Sequence, residues 1–263
     1  MVLEIVVMVK QVPDSQEVVI DPVTMNLNRS MTRNVTNRAD ENALEAALQI
    51  KDKVPANITI VSMGPPQAET TMIECLARGA DRAVLVSDRA FGGADTYPTG
   101  LTVASAISKL DHFDIIIAGE ESSDSSTGHV GPGVAEFLGI DQITYCSKIE
   151  FSDGRVTAER ELEDGTEVVQ CPTPVLVTML LGSNFPRMQT LRRKIDATRK
   201  GIEVWNLEKL GLQPEWVGVR GSPTIVRKMQ SIKERERAKK PVTVETIPDM
   251  VKELYEKNIL KVK

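Results

Sequence analysis

The stretch "DIIIAGEESSDSSTGHVGPGVAEFLG", residues 114–139, decides the fold. It opens on the β-branched run Ile115–Ile117, crosses a loop of serines, carboxylates and glycines, and closes on the apolar-periodic segment around Val134 to Leu138. A strand apolar on both faces, followed through a loop by a helix, is half of a parallel unit whose sheet is covered on both sides. Working outward, the same unit recurs. "EIVVMV" precedes "ENALEAALQIKD", "ITIVSM" precedes "QAETTMIECLA", and "RAVLVS" precedes "GLTVASAISKL". Strand and helix in alternation up to about residue 140 predict a parallel sheet wound with helices. In the first helix Ala43, Leu44, Ala47, Leu48 and Ile50 form the apolar stripe, and "TNRAD" ahead of it supplies capping residues.

Beyond residue 140 the period changes. "QITYCSKIEFSDGRVTAERELEDGTEVVQ" alternates around Asp-Gly turns at 153–154 and 164–165, so antiparallel hairpin strands are added over about 142–181. "PTPVLVTMLL" supplies one more buried strand, and "RMQTLRRKIDATRKG" a short basic helix ending at Gly201. The expected organisation is one α/β domain over 1–205 and a C-terminal arm over 206–263. That arm holds the charge run "KERERAKK" and an amphipathic helix in "VETIPDMVKELYEKNIL". It cannot build a core alone and is expected to pack on another subunit or on the parent domain.

Composition excludes several classes. With 41% hydrophobic and 26% charged residues the chain reads as globular, and a net charge of −5 disfavours general nucleic-acid binding. The first apolar run is too short to span a bilayer, has no basic flank and breaks at Pro13, which predicts a cytoplasmic protein without membrane insertion. Cys75, Cys146 and Cys171 stand far apart and suggest neither a disulfide framework nor a metal site. Neither G-x-G-x-x-G nor G-x-x-x-x-G-K-[ST] occurs, so an ordinary dinucleotide fingerprint or P-loop is excluded. His112 and His129 have no evident serine or cysteine partner, and no catalytic side chain is assigned; His112 reads as a surface residue ahead of a strand.

What remains is a row of strand ends. "VKQVPD" (9–14), "SMGPP" (62–66), "SDRAFGGADT" (87–96) and the loop from Gly119 would gather at the carboxyl rim of the sheet, where such folds bind ligands. Ser125, Ser126 and Thr127 offer hydroxyl donors ahead of a helix, whereas Glu120, Glu121 and Asp124 would repel a phosphate unless they point away. From these residues alone a phosphate cradle and a solvated loop both remain open.

Taken together, "VKQVPD", "NRADENALEAALQIKD", "VSMGPP", "CLARGADRAVLVSDRAFGGADT", "STGHVGPGVAEFLG", "AERELEDGTEVVQCPTPVLVT" and "NFPRMQTLRRKIDATRKGIEV" resemble the beta subunit of electron-transferring flavoprotein over nearly the whole chain. The resemblance implies a Rossmann-like domain of the adenine-nucleotide-binding type. It also implies an alpha-subunit partner carrying FAD, with the C-terminal arm reaching onto it. Ordinary members hold AMP; electron-bifurcating members hold a second FAD that is reduced by NADH. Asp95-Thr96, Val130-Gly131-Pro132 and "GSPT" at 221–224 look like the bifurcating kind. Glu120 to Ser126 depart from it, since those members carry a basic residue followed by Gln-Ala-Ile-Asp-Gly-Asp. "TNRAD" also departs from the usual Met-Asn-Pro-aromatic run, which leaves Arg38 either to pair with a phosphate or to face water. His129 stands where Gln is common.

On this resemblance the cofactor site is expected to draw on Val9 and Lys10; Arg38, Ala39 and Asp40; Met63 and Gly64; Asp95 and Thr96; and Ala118, Gly119, Glu120 and Ser122. It continues through Asp124, Ser125, Ser126, Thr127, Gly128, His129 and Val130, with Glu120 and Glu121 either turned away from the diphosphate or meeting another part of the ligand. The implied partners are the alpha subunit, ferredoxin and a flavin dehydrogenase of acyl-CoA type. Docking of the dehydrogenase maps onto Leu191, with Arg187, Arg192, Arg193 and Lys194 steering an acidic surface. A solvated basic helix with Leu191 in the core is the other reading.

Overall fold

A computed structural model describes residues 2–14, 33–225, 243–257 and 259–260. The chain divides into two compact units, Met1–Val226 and Arg227–Lys263, so the segments between 206 and 225 lie with the first unit and the boundary falls at 226/227 rather than 205/206.

In the first unit β1 (Leu3–Met8), β4 (Ala56–Met63), β5 (Arg82–Val86), β6 (Ile115–Gly119) and β10 (Val175–Met179) are short, strongly apolar strands. They alternate with α1 (Arg38–Lys51), α2 (Glu69–Arg78), α3 (Thr96–Ile107) and α4 (Val130–Leu138). A small antiparallel pair, β2 (Gln11–Pro13) and β3 (Asn34–Thr36), lies between β1 and α1. Long strands β7 (Asp141–Ser152), β8 (Arg155–Leu162) and β9 (Gly165–Pro172) precede β10, followed by α5 (Leu191–Lys200), β11 (Glu203–Trp205), α6 (Leu207–Leu210) and α7 (Gly218–Gly221). One nine-stranded sheet results, in the order β11-β5-β4-β1-β6-β10-β7-β8-β9. It is parallel from β11 to β7 and antiparallel from β7 to β9. This is the expected α/β architecture with added hairpins.

Successive strand residues face opposite cores, as a period of two requires. Val7, Ile60 and Ile117 join Leu44, Ala47, Leu48, Met72 and Ala197 on the face covered by α1, α2 and α5. Val6, Val61 and Ile116 join Val103, Ile107 and Val134 on the face covered by α3 and α4. The α1 stripe is buried throughout, with Ala43 and Ala47 at 0% exposure. Such burial contributes about 25 cal/mol per Å² of apolar area, which is why the elements hold despite their modest length.

Three local expectations are corrected. Asn37 stands at the N-cap of α1 but its side chain does not cap the helix, because it is bonded to the loop after β6. The first tight turn is Asp153-Gly154, both with positive φ, but the second is Glu163-Asp164, since Gly165 already pairs with Leu162. Finally, β1 covers Leu3–Met8 where the run "EIVVMV" spans 4–9, and Pro13 belongs to β2. Cys75, Cys146 and Cys171 are free and buried. Among the described residues no helix is long and apolar enough to cross a membrane.

In the second unit, α8 (Ile247–Glu256) is amphipathic and has no buried residue. The charge run at 233–240 lies outside the described residues.

Candidate functional site

Strand order reverses between β1, which leads through α1 to β4, and β6 on its other side. At such a reversal the following loops part and leave a crevice beyond the carboxyl ends of the strands. Lys10 and Gly119 sit at the two lips. Between them, in the first turn of α1, lies Asp40. Its Oδ2 accepts the Lys10 N–H at 2.7 Å and its Oδ1 the Gly119 N–H at 3.1 Å. One buried carboxylate thus staples both lips to the helix. Burial pushes its pKa up to about 7, against the opposing pull of those hydrogen bonds. Gly119 has to be glycine, because a Cβ there would lie 2.7 Å from that of Ala39 and collide with Asp40.

Lys10 carries its ammonium over the loop after β6. Nζ lies 2.6 Å from Asp124 Oδ1, 3.1 Å from Ser122 Oγ and 3.4 Å from Ser125 Oγ. Burial raises the Asp124 carboxyl, but Lys10 outweighs it and the net shift is downward, so this carboxylate stays charged. Asn37 grips the same loop from below, donating to the Glu121 carbonyl at 2.8 Å and accepting from the Ser123 N–H at 3.2 Å. The loop then turns through Ser126 and Gly128, both in the left-handed region at φ 45° and 64°, and enters α4. No side chain caps α4, so its leading N–H groups are directed at the loop.

Glu120 Oε1 accepts the Leu181 N–H at 2.9 Å. Glu121 is exposed and lines a cleft of about 430 Å³ together with Asn37, Arg38, Glu41, Glu120 and Leu181. Arg38 is exposed at the first position of α1 and has no acidic partner among the described residues. The donor set fits a nucleotide diphosphate. One ammonium, the hydroxyls of Ser125, Ser126 and Thr127, a left-handed turn and an uncapped helix start all belong to this loop or its borders, while the Asp124 and Glu120 carboxylates each already hold a donor of the chain.

The other expected residues lie along the same rim. Val9 and Ala118 are buried beneath it, and the Gly64 N–H donates to the Val86 carbonyl, which joins the ends of β4 and β5 beside Met63. His129 and Thr127 are exposed, and Val130 and Thr96 half-buried. Asp95 caps α3 through the Tyr97 N–H at 3.0 Å, while its Oδ2 accepts the Thr224 N–H and hydroxyl at 3.0 and 2.7 Å. Its own N–H donates to Ser222 Oγ at 2.9 Å. Asp95 and the "GSPT" segment are therefore one construction, although 126 or more residues separate them in sequence. Sequence reasoning missed Asn37 as a loop clamp and Tyr145, whose φ of 58° is rare for an aromatic residue and whose hydroxyl lies beside Gly128. Nothing in "QITYCSK" signals it; the irregular register of β7 against β10 does, once seen.

A second surface lies behind α1. Leu191 is 76% exposed, with Phe185 at 96% and Met188 at 84%, which excludes a core role for Leu191. Arg192 is exposed. Arg187 differs. Its guanidinium is bound to Glu45 at 2.9 and 3.0 Å and to Asp52 at 2.7 and 3.3 Å, so its charge is neutralised inside the chain instead of facing a partner.

Comparison with known proteins gives a consistent result. The electron transfer flavoprotein domain family matches residues 24–210. The electron transfer flavoprotein subunit beta of Clostridium acetobutylicum is 45% identical over 226 residues, covering 86% of this chain and 87% of that protein. The caffeyl-CoA reductase-Etf complex subunit CarD of Acetobacterium woodii is 43% identical, covering 85% and 86%. Protein FixA of Sinorhizobium fredii is 39% identical, covering 93% and 88%.

Proposed function

The chain belongs to the beta subunits of electron transfer flavoproteins, and on that premise we propose that it is of the electron-bifurcating kind, a cytoplasmic subunit that holds FAD and draws its electrons from NADH. The observation that carries this reading is the loop at the sheet's reversal point, stapled open by Asp40 and Asn37 and running uncapped into α4. The joined Asp95 and "GSPT" features support it, as does the name of the CarD relative, a subunit of a reductase-Etf complex.

Lys10, Ser125, Ser126, Thr127 and the start of α4 would hold the diphosphate; Met63, Gly64, Thr96, His129 and Val130 line the rim where the remainder would lie. Bound FAD would supply the redox chemistry: two-electron exchange with NADH, and one-electron exchange with ferredoxin and, by way of the alpha-subunit FAD, with a flavin dehydrogenase of acyl-CoA type. The chain's own residues bind, orient and shield. Asp40 fixes the two lips, Lys10 sets the loop's charge, and no side chain is required as acid or base. Leu191, Met188 and Phe185 form the face offered to the dehydrogenase, and the C-terminal arm the contact with the alpha subunit.

The alternative is a beta subunit holding AMP, which the same diphosphate-binding features suit as a single phosphate site. Acid extraction of the purified heterodimer decides between them. Two flavins per heterodimer are expected; one flavin with AMP would reject bifurcation. NADH oxidation that depends on ferredoxin completes the test.

A further inference from the structure

The loops after β6 and β10 emerge from adjacent strands, and each is held to α1. The first is held through Asp40 and Asn37. The second is held through Asn42 and Glu45: Asn42 Oδ1 accepts the Gly182 N–H at 3.0 Å, its amide donates to the Asn184 carbonyl at 2.7 Å, and Glu45 accepts the Arg187 N–H at 3.0 Å. Asn42 and Glu45 are buried, at 3% and 5% exposure, so these bonds form away from competing water. Among the described residues, one hydrogen bond joins the loop 119–128 directly to the loop 181–190. It is the bond from the Leu181 N–H to the Glu120 carboxylate.

We propose that Glu120 is a positioning residue for docking, registering the 181–190 loop against the 119–128 loop so that a nucleotide ordering the first also orders the second. This rests on the reading of 119–128 as the nucleotide loop and of Phe185, Met188 and Leu191 as the docking face. The argument is one of linkage. A ligand on one loop changes the other only through a contact whose strength differs between the loaded and empty states. Helix α1 is packed on the sheet and holds each loop by separate residues, so a coupling through it would require the helix itself to shift. The Glu120 bridge runs from one loop to the other, and its acceptor is half-buried, where loop order decides how often the bond is made. Reciprocity follows: a docked partner tightens nucleotide binding by the same factor.

The test uses amide hydrogen exchange on the purified heterodimer, stripped of nucleotide and then reloaded with FAD or with AMP. In the wild type, reloading should slow exchange across 181–188 by about tenfold, the change expected when a charged hydrogen bond becomes persistent. Glu120→Ala should abolish that slowing while exchange in β1 and β4, the folding control, stays as in the wild type. Glu120→Gln keeps an acceptor oxygen and should restore it. In steady state, Glu120→Ala should change the apparent KM for the dehydrogenase by more than it changes kcat. Slowing that persists in Glu120→Ala overturns the proposal, as does failure of Glu120→Gln to rescue. Loss of nucleotide from Glu120→Ala also overturns it, because Glu120 would then be a ligand contact rather than a bridge. The underlying reading fails separately: if Leu191→Ala transfers electrons normally, the docking face is wrong even where the exchange coupling is found.

Discussion

At the scale of single residues, Asp40 is the most consequential position in the site. It is 7% exposed, yet both carboxylate oxygens hold backbone N–H groups of separate strands. Burial lifts its pKa from 3.8 in the unfolded chain to about 7 in the folded one. The folded protein therefore binds this proton more tightly than the unfolded chain does. The stability that Asp40 contributes is full below its unfolded value and is lost as pH rises through about 7. Asp40→Asn removes the titration. It also leaves one of the two N–H groups facing an amide NH₂, at about 1–3 kcal/mol. Urea unfolding of both proteins between pH 5 and 8 should show the wild type ahead by most at the acid end, with the gap narrowing toward the alkaline end. A gap that stays constant across that range would show that the carboxyl does not titrate there.

At the scale of elements, α1 organises the site. Its apolar side lies on the sheet, and its buried polar residues Asp40, Asn42 and Glu45 hold loops at both of its flanks. The docking segment shows how differently two side chains four residues apart act. Leu191 begins α5 at 76% exposure, so Leu191→Ala should leave the urea midpoint within about 0.5 kcal/mol of wild type, while transfer to the dehydrogenase falls about tenfold. Arg187→Leu should do the reverse. It strands Glu45, whose side chain is 6% exposed, and lowers stability by about 3 kcal/mol, the low end for a broken buried pair because Arg187 itself is 31% exposed. Equal loss of stability in both variants would return Leu191 to the core. The same helix marks what could be read beforehand. Ala43, Leu44, Ala47, Leu48 and Ile50 follow helical periodicity, and all five are buried. Asn37 looked like a cap because position relative to the helix is a local signal. Its actual partners, Glu121 and Ser123, lie more than eighty residues away and depend on β6 lying beside β1. Arg187 was read as a free charge for the same reason: Glu45 and Asp52 become its neighbours only when the chain has crossed the sheet.

At the scale of the whole molecule, the two hydrophobic cores are made of residues from Leu3 to Val217. None of the described residues beyond Val226 contributes to either. Helix α8 is ten residues long, has no buried residue, and exposes Ile247 at 44%, Met250 at 37% and Tyr255 at 44%. An amphipathic helix this short is marginal alone in water, because nucleation is unfavourable and one face has nothing to bury. Its apolar side therefore needs a surface supplied from elsewhere, and the alpha subunit is the partner on which the proposed function relies. A chain ending at Val226 should keep a cooperative melt, with its midpoint close to that of the full-length beta chain measured alone, since neither core loses a residue. Co-expressed with the alpha subunit, it should fail to elute with it in size-exclusion chromatography at concentrations where the full chain forms the heterodimer. If the shortened chain still co-elutes, the first unit itself carries the subunit contact. If it no longer melts cooperatively, residues 227–263 belong to the fold of the first unit and the two-unit division is wrong.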